Sequence, residues 1–150
     1  MGECRGLTRF LQAQAGIYPR ALDELQAGSK TSHWMWFIFP QIDGLGRSST
    51  AQFYAIADLP EARAFCRHEL LGPRLIEATQ AMLEWAGKRS ARDILGPIDA
   101  LKFRSSMTLF EAACPDCKPY AAALDAFYDG ERDALTLERI GHKDLTEQPA

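Results

Sequence analysis

A chain of 150 residues, 47% hydrophobic and 25% charged, has the size and composition of one globular domain, neither disordered nor fibrous. Its net charge is −3, with 8 basic and 7 acidic groups in residues 1–75 against 9 and 13 in residues 76–150, which leaves no basic footprint for nucleic acid. The longest apolar run, Trp34 to Phe39, is far short of the roughly 20 residues of a membrane span. Met1-Gly2-Glu3-Cys4 lacks the basic and apolar regions of a signal peptide, and Gly6 stands where a myristoylation signal carries Ser or Thr. Four scattered cysteines are too few for a disulfide scaffold. The expectation is a cytoplasmic protein that binds neither nucleic acid nor membrane.

Apolar residues recur at helical spacing almost throughout, valine is absent and isoleucine is scattered, so the predicted fold is all-α or mostly α: one multi-helical domain with short connections. Leu7, Phe10, Leu11 and Gln14 outline a first helix ending near Gly16. Pro19 suits the first turn of a second, with Tyr18, Leu22 and Leu25 on one face and Gly28 as its stop. Asp43-Gly44 and Gly46 read as a turn, after which Ser48, Ser49 or Thr50 caps a helix carrying Phe53, Tyr54 and Ile56. Asp58-Leu59-Pro60-Glu61 has the spacing of a capping box ahead of Ala62, Phe65 and Cys66. Gly72-Pro73 opens a helix with Leu75, Ala78, Met82 and Trp85 in one stripe and Gly87 at its end. A short turn of helix covers Ser90 to Leu95.

From Ile98 to Cys114, Leu101, Phe103, Met107, Leu109 and Phe110 keep to no single face, which predicts a central helix apolar nearly all round, stopped by Pro115. Tyr120, Leu124 and Phe127 form one more stripe, closed by Gly130. Asp133 starts a last short helix through Leu137 and Ile140. The predicted core spans about residues 7–140, and the polar tail 142–150 is expected to fray.

Two segments carry more polar chemistry than a core needs. Ser32-His33-Trp34-Met35-Trp36-Phe37-Ile38-Phe39-Pro40-Gln41 concentrates aromatics that each bury roughly 150–250 Å² when packed, with Lys30, Ser32, His33, Gln41 and Arg47 around them. Lys102, Arg104, Ser105 and Ser106 interrupt the segment expected to be most buried, where an unpaired lysine costs several kcal/mol. Lys102 must therefore snorkel out, pair with Asp99 one turn away, or face a polar cavity. Templates for hydrolases, metals and nucleotide loops fail. Gly44-Leu45-Gly46 is a lone G-x-G, Gly46-Arg47-Ser48-Ser49 lacks the second glycine of a nucleophile elbow, and His68-Glu69 has no metal spacing. Cys114-Pro115-Asp116-Cys117 follows a helix end, whereas redox C-x-x-C motifs open a helix, so it reads as a turn. No metal site or cofactor is expected.

At Ser32 to Gln41, at Gly44-Leu45-Gly46 with Ser48, and at Asp99 to Lys102 with Ser105-Ser106-Met107-Thr108-Leu109-Phe110, the chain resembles DUF1810, a bacterial domain family of unknown function. The likeness runs from about Leu7 to Ile140. It implies a mostly helical single domain and brings no catalytic residues with it. A fainter likeness to the NADAR group of ADP-ribose-processing proteins implies an ADP-ribose-processing enzyme as one alternative. A helical protein-interaction module without a ligand is the other.

From the residues themselves, the expected site holds a small anionic ligand, phosphate- or nucleotide-like. Arg47 supplies a planar fork, Lys102 a point charge, and Ser32, Ser48, Ser105 and Ser106 neutral hydrogen bonds. Trp34 or Trp36 is expected to stack a ring, and His33 is the candidate acid or base.

Overall fold

Phe103, Met107 and Phe110 recur at the spacing of one helical face, and that face makes helix 97–113 the axis of the molecule. The structure, a computed structural model, describes residues 6–147, with side chains through residue 141. Cys4, the end of the tail from 148 and the side chains of 142–147 lie outside the described residues.

Ten helices follow in chain order among the described residues: α1 Thr8–Gln14, α2 Tyr18–Ala27, α3 Met35–Ile38, α4 Ser49–Tyr54, α5 Leu59–Arg67, α6 Leu71–Leu83, α7 Ala91–Leu95, α8 Pro97–Ala113, α9 Lys118–Tyr128 and α10 Ala134–Glu147. The all-α expectation holds. Among the described residues the β pairing is one isolated parallel bridge, Ile42 to Ile56. Around α8 pack α5, α7, α9 and α10, while α2 and α9 lie against α6. Phe103 meets Phe39 edge-on at 4.8 Å, and Phe110 packs at 5.3 Å from Phe65.

Local signals set most boundaries. Gly28 ends α2 in the left-handed conformation, and a Cβ there would lie 2.7 Å from the Trp85 ring. Asp58 accepts from Glu61 N as the α5 cap, but the Glu61 carboxylate bonds Ala57 N and pairs with buried Arg9 instead of closing the box. Arg9 in turn donates to the carbonyls of Phe53 and Ala55, so one α1 side chain holds the end of α4. Ser90 and Asp93 form a full capping box on α7.

Four expectations need correction. α4 stops at Tyr54, and Ile56 leaves the helix to bridge Ile42, because Ile56 N–H and C=O pair with Gln41 and Asp43. α6 begins at Leu71, ahead of Gly72-Pro73, since His68 Nδ1 accepts from Leu70 N and Leu71 N and so serves as its cap. α8 is central but not buried all round: apolar Ile98 and Leu101 are 68% and 62% exposed. α10 continues to Glu147, because Gly141 costs a helix only about 1 kcal/mol and polarity alone does not end one.

Candidate functional site

The polar residues of α8 resolve into two stripes beside its core face. Arg104, Thr108 and Glu111, at helical spacing, face the turn into α10: Arg104 pairs with Glu131, Thr108 Oγ1 accepts from Asp133 N, and Glu111 holds Arg132. Ile98, Leu101, Lys102 and Ser105, at i, i+3, i+4 and i+7, form the other stripe, exposed at Ile98 and Leu101 and buried at Ser105.

Lys102 meets that surface through a shared carboxylate. Asp99 Oδ2 lies 2.8 Å from Lys30 Nζ, whose side chain is buried, while Asp99 Oδ1 is 3.7 Å from Lys102 Nζ. The second separation is an ion pair but too long for a hydrogen bond. Lys30 Nζ sits over the Trp34 ring and Lys102 Nζ over the Trp36 ring, each at 5.1 Å. Two ammonium groups thus share one carboxylate, leaving an excess positive charge at the surface end.

Glu24 anchors the inner end. It accepts from Thr31 N, Ser32 N, Ser32 Oγ and Trp34 Nε1. Burial works against its charge, but the bonds from Ser32, Thr31 and Trp34 prevail and bring its pKa down to about 2. Ser32 and Trp34, both expected at a ligand, are instead tied up in holding the 28–34 loop, and Trp34 is fully buried.

Facing the α8 stripe is the segment 41–51. Gly44 has φ +101°, and a Cβ there would fall 2.4 Å from the Arg139 guanidinium, whose Nε donates to Asp43 O. A Cβ on Gly46 would fall 2.5 Å from Ala51 Cβ. The Gly-x-Gly pattern therefore answers to packing against α10 and α4. Gly46→Ala is expected to lower stability by about 1–3 kcal/mol, and Ala51→Gly in the same chain to restore much of it, as read by urea denaturation. Simple additivity of the two losses would refute the contact.

Between these elements lies a cleft of about 440 Å³, within the usual size of small-molecule sites. Arg47, Ser48, Lys102 and Ser105 border it, four of the nine expected site residues, together with Gln41 and Asp133. Trp36 lines a smaller recess next to it that shares Gln41, Gly46 and Ala51. His33 is exposed and does not line the cleft. Ser106 is fully buried with its Oγ unpartnered among the described residues, and it does not line the cleft either.

The polar groups differ in what they have free. Among the described residues the Arg47 guanidinium has no hydrogen-bond or ion-pair partner, although its carbonyl accepts from Gln52 Nε2. Ser48 Oγ accepts from Ala51 N, which leaves its O–H to donate. Ser105 Oγ already donates to Leu101 O, and Asp133 Oδ2 caps α10 by accepting from Thr136 N and Oγ1.

A DUF1810 family model, described as a protein of unknown function, matches residues 4–140. The chain belongs to the DUF1810 family. This DUF1810 chain is similar to the crystal structure of the conserved hypothetical protein Rv1873 from Mycobacterium tuberculosis, with 45% sequence identity and a TM-score of 0.88 over 91% of this chain and 96% of that one. No curated protein matches it.

The cysteines among the described residues do not enlarge the site. Cys66, Cys114 and Cys117 are free thiols, and burial pushes Cys66 up to about 12 and Cys117 up to about 11, so both stay protonated and poorly nucleophilic at neutral pH. Among the described residues no three His, Cys, Asp or Glu side chains converge to hold a metal, and no helix is long and apolar enough to cross a membrane. The cleft residues that sequence reasoning missed are Asp133 and the aliphatic Leu45, Ile98, Leu101 and Leu135. Ile98 and Leu101 carried one available signal: they share a stripe with Lys102 and Ser105.

Proposed function

We propose that this cleft binds a small phosphate- or nucleotide-like anion between Arg47 and Lys102. One observation carries the reading: two cationic side chains on facing elements border one cleft, and among the described residues neither makes a hydrogen bond through its charged group. Arg47 offers a bidentate fork and Lys102 a point charge. Ser48 adds a donor, whereas Ser105 Oγ–H is already donated to Leu101 O and adds none. With His33 outside the cleft and Asp133 engaged as a cap, the reading is binding rather than acid–base catalysis.

A thermal-shift screen of ADP-ribose, nucleotides and sugar phosphates tests it, because a ligand of the native state raises stability by about 2.7 kcal/mol at 100 times its Kd. At least one such anion is expected to raise the melting temperature, and Lys102→Ala or Arg47→Ala to weaken it tenfold or more. Unchanged affinity in a folded variant would place the anion elsewhere. Product analysis of the ADP-ribose arm separates binding from processing.

A further inference from the structure

We infer that the ligand's organic part is apolar and lies against Ile98, Leu101 and Leu135, so that the cleft takes an amphiphilic anion, such as an aryl or alkyl phosphate ester, in preference to a sugar phosphate. The inference rests on the anion-binding reading of the same cleft. Ile98, Leu101 and Leu135 are 68%, 62% and 61% exposed, the three most exposed large hydrophobic side chains among the described residues. A lone exposed leucine is ordinary on a protein surface, but these three border one cavity. Neither the core nor helix propensity requires them there, since their faces look away from the packed side of α8 and α10.

The arrangement is also directional. On the α8 stripe Ile98 and Leu101 come first, and Lys102 and Ser105 follow toward the helix C-terminus. An anion held at Lys102 and Arg47 would lay the rest of the molecule along carbon. Neither tryptophan ring lines the cleft: Trp34 is fully buried, and Trp36 borders the neighbouring recess. Sugar hydroxyls pressed on this wall would lose water without gaining partners, whereas an aryl or alkyl group loses water to advantage.

Titration calorimetry on the full chain with inorganic phosphate, ribose 5-phosphate and phenyl phosphate reads the preference directly. Phenyl phosphate is expected to bind at least tenfold tighter than ribose 5-phosphate. Leu101→Ser, at a position exposed enough to leave the fold intact by circular dichroism, is expected to bring the two within about threefold, while Lys102→Ala weakens all binding. Equal affinity for the two esters in the wild type, or a preference for ribose 5-phosphate, overturns the inference and leaves the anion site standing. No binding by any probe at millimolar concentration overturns both. If sedimentation shows a wild-type dimer that Leu101→Ser turns monomeric, with ester affinities unchanged, the aliphatic wall is a self-interface and the inference falls.

Discussion

Glu24→Ala is expected to destabilise the protein by about 3–5 kcal/mol, because four neutral donors lose their shared acceptor. The substitution leaves Thr31 N, Ser32 N, Ser32 Oγ and Trp34 Nε1 facing a void, and each unpaired buried donor costs on the order of 1–3 kcal/mol. Urea denaturation should show a lower midpoint with an unchanged slope. The same carboxylate governs the acid limb of stability. Its folded pKa, about 2, lies below the ordinary 4.5, so its contribution is complete above about pH 4.5 and is lost as pH falls toward 2. Glu24→Gln should therefore flatten stability against pH between those values. Superimposable acid limbs for wild type and Glu24→Gln would assign the transition to other carboxylates.

Phe103→Ala and Leu101→Ala, two residues apart on one helix, are expected to differ by several kcal/mol. Phe103 is fully buried between Phe39, Phe127 and Tyr128, so truncation opens a cavity and costs about 3–5 kcal/mol. Leu101, 62% exposed, should change stability by no more than about 0.5 kcal/mol. Thermal melts of both variants suffice. A loss at Leu101 comparable to that at Phe103 would mean that the cleft stripe is part of the core.

Helices were legible wherever a stop signal sat beside an apolar stripe, as at Gly28 after Leu25 or Pro115 after Phe110. Ile56 and Leu101 were misread because apolar character does not distinguish a bridge or a cleft wall from a core face. The cleft itself was half legible. Arg47, Ser48, Lys102 and Ser105 stood out as polar groups at odds with their surroundings. Ser32 and Trp34 stood out equally, but their polarity answers to Glu24, eight and ten residues earlier, and no local spacing links the three. Asp133 and Leu135 reach the cleft only through the docking of α10 against α8, a tertiary fact with no periodic trace.

The carboxylate of Asp99 serves two masters, and this limits how the cleft can evolve. Its negative charge damps the field that Lys102 would present to the proposed anion, so neutralising position 99 would sharpen attraction at the surface. The same change would strand the buried Lys30 ammonium above Trp34 with its only ion-pair partner among the described residues removed. Gains in affinity at this position are thus traded against the integrity of the loop beneath. If the cleft binds an anion as proposed, the freedom to change lies instead at Arg47 and the aliphatic wall, since Ser48 caps α4.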